Sequence, residues 1–103
     1  MTREEIVASV GPGWASIVND ALNKIWAIDD SVMVLDCKEK YGTLRLYLGI
    51  MSIKVFDLVY DIVRDAEGLS EKTCEQCGSP GKKRKDLPWM KTLCDMHYAE
   101  AKA

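Results

Sequence analysis

The sequence predicts an α+β protein in which helices and one β-hairpin form a small body, followed by a C-terminal treble-clef-like zinc module. Three observations carry that expectation. In two segments, over 14–28 and 52–67, apolar residues recur at spacings of three and four, as on one face of a helix. Between them, two runs suited to strands flank Tyr41-Gly42. In the last third, Cys74, Cys77, Cys94 and His97 spell C-x2-C-x16-C-x2-H, the ligand spacing of a closed structural zinc site.

Each element can be justified in order. Thr2-Arg3-Glu4-Glu5 fits a capping box, with Thr2 as N-cap and Glu5 at the third helical position, so a short helix should run to about Val10. Gly11-Pro12-Gly13 ends it. From Trp14, the positions Ile17, Val18, Ala21, Leu22, Ile25 and Ile28 form the apolar face of a second helix, closed by Asp29-Asp30-Ser31. The segment 32–38 is rich in branched residues, and 43–48 alternates strictly, so Leu44, Leu46 and Leu48 should face the core and Arg45 and Tyr47 the other side. A third helix is expected from about Ser52 to Glu67, with Val55, Val59, Ile62, Val63 and Ala66 inward and Gly68 as its stop.

The remaining chain reads as metal-binding. Cys74-Glu75-Gln76-Cys77-Gly78 is a knuckle whose turn brings two sulfurs together, with Gly78 supplying a positive φ. Cys94 and His97 should lie one helical turn apart at the start of a last helix. Knuckle, hairpin, then ligands on a first helical turn is the treble-clef order. No signal peptide opens the chain, so a reducing cytosol is expected, where disulfides rarely persist. A redox C-x-x-C would open a helix, which Gly78-Ser79-Pro80-Gly81 cannot do. Four protein ligands leave no open position for water, so one structural Zn²⁺ per chain is expected. The body spans 1–70 and the module 71–103; a segment so short cannot bury a core of its own, so metal must supply much of its folding free energy, on the order of 10 kcal/mol.

Bulk properties limit the function classes. An apolar content of 48% suffices for one small core, and no apolar run approaches the roughly 20 residues that span a bilayer. Residues 1–70 carry 7 basic and 11 acidic side chains, and residues 71–103 carry 7 and 5, so neither half is basic enough for strong non-specific nucleic-acid binding. Cys37 reads as a small buried hydrophobe. Catalysis is poorly supplied. The sole histidine is claimed by the metal, and neither a deaminase H-x-E nor a glycine-rich phosphate loop is present, so an enzyme is not expected.

Two surfaces remain as candidates for binding. Lys82, Lys83, Arg84 and Lys85, expected at the tip of the zinc hairpin with Trp89 nearby, could take phosphate and stack on a base; the bland reading is a solvated tip with Trp89 packed on the knuckle. The hairpin residues Lys38, Lys40, Tyr41, Arg45 and Tyr47 could contact a partner, and a two-stranded sheet has free edges that suit partner binding or a homodimer unless helices cover them. Asp57, Asp61 and Asp65 form an acidic stripe at i, i+4, i+8, most simply a solvated face.

Gly13-Trp14 with Ile17-Val18, the segment Lys38-Glu39-Lys40-Tyr41-Gly42-Thr43-Leu44-Arg45, and the knuckle with Trp89, Thr92-Leu93-Cys94-Asp95 and His97 together resemble small zinc-binding proteins of unassigned role encoded by bacteriophages and prophages. That family's pattern has Phe at the position of Tyr41 and Gly at that of Thr43, so the turn here differs in detail. The resemblance implies expression in the cytoplasm of a bacterial host cell, and a non-catalytic accessory protein that binds and inhibits or redirects a host protein, such as a defence component in the manner of an anti-CRISPR. The residues leave two rivals open: a zinc-dependent nucleic-acid-binding regulator, and a sponge for a nucleotide signal held by Lys38, Lys40, Arg45 and an aromatic.

Overall fold

The computed structural model describes residues 1–103. Helix α1 (Arg3–Ala8) begins with the expected capping box: the Glu5 N–H donates to Thr2 Oγ1 at 3.2 Å, and the Thr2 N–H donates to Glu5 Oε1 at 2.8 Å. It ends two residues short of the expected Val10, capped by Ser9, and residues 12–14 then form a 3₁₀ turn (Pro12–Trp14) leading into α2 (Ala15–Ile28). Trp14, Val18, Ala21, Leu22 and Ile25 are buried, as their spacing predicts, while Ile28 at the last position of α2 is exposed.

Strands β1 (Val34–Lys40) and β2 (Thr43–Leu48) form an antiparallel hairpin. Its two-residue turn has φ of 54° at Tyr41 and 77° at Gly42, the positive pair of a type I′ turn. That turn pairs Lys40 with Thr43, which carries β1 two residues beyond the expected end at Lys38. Leu44, Leu46 and Leu48 face the core. The register shifts between Val34 and Asp36, leaving Leu35 unpaired and exposed in a bulge.

Helix α3 (Ile53–Ser70) packs along β2 and beside α2. It runs through Gly68 rather than stopping there. The Ser70 hydroxyl donates to the Glu67 carbonyl at 2.6 Å and accepts the Leu44 N–H at 2.9 Å, a buried tertiary anchor that offsets the roughly 1 kcal/mol cost of a helical glycine. The Leu46 N–H in turn reaches Glu67 Oε2 at 3.4 Å. The outer edge of β2 is therefore closed by α3, and only β1, with its bulge, keeps an open edge. The core cluster contains no residue beyond Ala66, so it belongs to the body, and no helix is long and apolar enough to cross a membrane.

The module follows the expected order: knuckle, hairpin of β3 (Lys82–Arg84) and β4 (Lys91–Leu93), then α4 (Asp95–Lys102). It lacks a hydrophobic core but is bonded to the body. The Gly13 N–H donates to the Glu75 carbonyl at 2.8 Å, and Trp14 Nε1 donates to the Thr73 carbonyl at 2.8 Å. A β-carbon at Gly13 would lie 2.0 Å from the Cys74 carbonyl oxygen, so only glycine permits this main-chain approach.

Candidate metal centre

The knuckle is a tight turn in which the Gly78 N–H donates to the Cys74 carbonyl at 2.9 Å, with Gly78 at φ +81° as its residue type predicts. Cys94 is the N-cap of α4, its sulfur accepting the His97 N–H at 3.5 Å, which sets the His97 ring beside that sulfur. The four ligand atoms of Cys74, Cys77, Cys94 and His97 all lie within 4.8 Å of one another. Cys77 Sγ and Cys94 Sγ are 3.8 Å apart, and His97 Nδ1 lies 3.5 Å from Cys74 Sγ and 3.2 Å from Cys94 Sγ. A tetrahedral zinc with bonds of about 2.3 Å to sulfur and 2.0 Å to nitrogen separates its ligands by about 3.5–3.8 Å, so this donor set is compatible with zinc.

Electrostatics at the cluster follow from its donors. The Cys77 thiol is lowered to about 6 by the hydroxyl and N–H of Ser79, with Cys74 and Cys94 adding to the effect. Burial pushes Cys74 up, but the N–H groups of Cys94, Cys77 and Gln76 outweigh it and leave the thiol below its ordinary value. Cys94 is favoured as thiolate by the His97 N–H, yet burial and the neighbouring sulfurs leave it raised. His97 is raised by the Cys74 sulfur first. Its Nε2 faces Glu100 Oε2 at 3.7 Å, a carboxylate placed to orient the ring.

Most of the basic run does not sit at the hairpin tip. Lys82, Lys83 and Arg84 form β3, and only Lys85 lies in the connecting loop, 85–90. Lys83 pairs with Glu71 and, with Thr43 and Arg45 assisting, holds that carboxyl below its ordinary range. Arg84 bonds Asp95 Oδ1 at 2.7 Å and the Leu93 carbonyl at 3.2 Å, and stacks 4.2 Å from the Tyr98 ring centroid. Two of the four cations thus brace the module internally. Lys82 and Lys85 remain exposed, and Trp89, 81% exposed, does not pack on the knuckle.

The hairpin candidates, in contrast, come together. Lys38, Lys40, Arg45 and Tyr47 share the outer face, and Tyr41 crowns the turn. Lys38 lies 5.3 Å from the Tyr47 ring and Lys40 5.8 Å from the Tyr41 ring. Arg45 is half-buried, with Nε lacking a partner. Asp57, Asp61 and Asp65 are all exposed, and Asp61 pairs with Arg64.

Sequence reasoning missed Thr92, Glu75 and Glu100. Thr92 is fully buried; its N–H reaches Glu75 Oε2 at 2.9 Å, its carbonyl accepts the Glu75 N–H at 3.0 Å, and its hydroxyl donates to the Gly42 carbonyl at 2.6 Å. Burial raises the Glu75 carboxyl. No periodicity or spacing signals such a junction, whereas the i, i+3 spacing of His97 and Glu100 did signal theirs. No family model matches the chain, and no curated protein or solved structure is significantly similar to it.

Proposed function

We propose that the chain is a non-catalytic binding protein, stapled by one structural zinc, whose hairpin face docks a partner. The observation that carries this reading is the outer face of β1 and β2, where Lys38, Lys40 and Tyr47 lie together exposed, Lys38 over the Tyr47 ring and also paired with Asp36 at 3.6 Å. The metal site offers no rival chemistry. Three sulfurs and one imidazole complete a tetrahedral shell, and the only histidine is spent in it. The partner surface that complements three cations and two tyrosines is anionic with apolar patches.

The resemblance to phage and prophage zinc proteins supports a setting in a bacterial host cytoplasm, with a host protein as partner and inhibition or redirection of a defence component as the outcome. The test is capture from bacterial lysate by tagged zinc-loaded protein, compared with a Lys38→Glu, Tyr47→Ala variant. Specific capture should fall at least tenfold in the variant while zinc content and melting temperature hold, since both side chains are exposed. A Lys82→Glu, Lys85→Glu variant should matter less. Equal capture by wild type and the hairpin variant would remove the reading.

A further inference from the structure

Two exposed aromatic residues, 48 positions apart, share a cleft. Tyr41, at the turn of the body hairpin, is 65% exposed, and Trp89, in the loop of the module hairpin, is 81% exposed. With Lys40, Glu39 and Met90 they line a cleft of about 300 Å³. Trp89 also lines a second cleft, of about 170 Å³, with Gln76 and Lys91. The indole thus joins two clefts, each with one lysine in its wall.

Folding explains neither aromatic. Tyr41 stands at φ +54°, in the left-handed region where a bulky side chain is an outlier and Asn or Gly is at ease. Trp89 gains little from burial at its exposure. The turn requires the positive φ but not a tyrosine, so a bulky ring at that position beside a second exposed ring on the same cleft makes the cleft a candidate for a ligand.

We propose that the two clefts bind single-stranded nucleic acid, with bases stacked on Tyr41 and Trp89 and phosphates met by Lys40 and Lys91. The charge favours this occupant over an apolar peptide. Glu39 is the only carboxylate in either lining, and its Oε2 already accepts the Gly42 N–H at 2.6 Å, whereas neither lysine forms an ion pair, Lys91 acting on the Glu75 carboxylate only at longer range. Flat rings take any base, and Gln76 offers an amide to a base edge. A duplex keeps its bases stacked on one another and cannot present their faces. A chain of net charge −2 cannot hold a nucleic acid by charge alone, so stacking must carry most of the affinity.

The cleft is built from both halves of the chain. Tyr41 comes from the body, while Trp89 rides on the loop between β3 and β4, and β4 leads directly into Cys94. Metal removal should therefore disperse the cleft. This site shares Lys40 and Tyr41 with the hairpin reading, while Trp89, Gln76 and Lys91 are its own.

The test uses the full zinc-loaded chain and a fluorescein-labelled oligothymidylate of roughly ten nucleotides, read by anisotropy and by tryptophan quenching. Trp14 is fully buried and Trp26 partly so, which makes quenching a report on Trp89. Saturable binding is expected, weakened roughly tenfold or more in each of Trp89→Ala and Tyr41→Ala, with zinc content unchanged. Two phosphate contacts predict a slope of about −1.4 in log affinity against log salt. A duplex of the same length should bind more weakly. Absence of oligothymidylate binding, wild-type affinity in both variants, or Trp89 quenching by a proline-rich peptide alone would overturn the proposal. Oligonucleotide binding that persists while lysate capture is insensitive to Lys38→Glu and Tyr47→Ala would count against the hairpin reading only.

Discussion

The hydroxyl of Thr92 donates a 2.6 Å hydrogen bond to the carbonyl of Gly42, fifty residues away in the chain. Gly42 closes the body hairpin, and Thr92 is also bonded through N–H and carbonyl to Glu75 in the knuckle. One buried residue thus fixes the hairpin turn to the metal-binding loop. A β-carbon at Gly42 would come within 3.2 Å of both the Lys91 carbonyl carbon and Thr92 Oγ1, which shows how closely the two segments approach.

Thr92→Val keeps the shape and removes the donor, leaving the Gly42 carbonyl unsatisfied. A loss of about 1–3 kcal/mol is expected in denaturant unfolding of the zinc-loaded protein, with Thr92→Ser retaining most of the stability. A Val variant as stable as wild type would show that this bond contributes nothing.

Metal removal should unfold the chain unevenly, because the core cluster ends at Ala66 and the module has no core of its own. After chelation, hydrogen exchange should reveal loss of amide protection across 71–103, and also at Gly13, whose N–H is bonded to Glu75. The amides of Leu22, Ile25 and Val63 should stay protected. Loss throughout would mean that the body cannot stand without the knuckle that braces Trp14.

Zinc affinity should fall as pH falls, since protons compete for the same four atoms. The sign follows from the metal-free ligands. Above about pH 6, Cys77 is already thiolate, so zinc displaces protons chiefly from Cys94 and His97, both of which hold their proton more tightly than usual. Below about 6, Cys77 must give up a proton as well, so affinity should drop more steeply. Competition titrations with a chromophoric chelator from pH 8 to 5 should show this curvature, and a constant slope would contradict it.

Tyr41→Asn should raise stability by about 1 kcal/mol, because Asn tolerates the left-handed backbone that penalises tyrosine. Thermal unfolding measures it. A destabilised Asn variant would mean that the tyrosine ring supports the hairpin turn.

Much of this fold could be read from residue patterns, for identifiable reasons. The apolar spacing in α2, the strict alternation in β2 and the Thr2–Glu5 capping box are local signals, and each element formed where they lay. The C-x2-C and C-x2-H pairs likewise meet in one cluster, because turn and helix geometry converge each pair before the halves meet. Errors arose where tertiary bonds override local preference. Gly68 was expected to stop α3, but Ser70 is anchored to Leu44 beyond it. Lys83 and Arg84 were expected as a solvated cationic tip, but Glu71 and Asp95 come from other elements to pair with them. The junction at Thr92 and the shared cleft of Tyr41 and Trp89 exist only once body and module are docked, so no segment read alone contains them.

The central claim is that one zinc, held by Cys74, Cys77, Cys94 and His97, staples the module that completes the binding surface. Native mass spectrometry of protein purified without added chelator tests it most directly. One zinc is expected per wild-type chain and none in the Cys77→Ser, Cys94→Ser double variant. Stoichiometric zinc in that variant, or a folded wild-type module without metal, would contradict it.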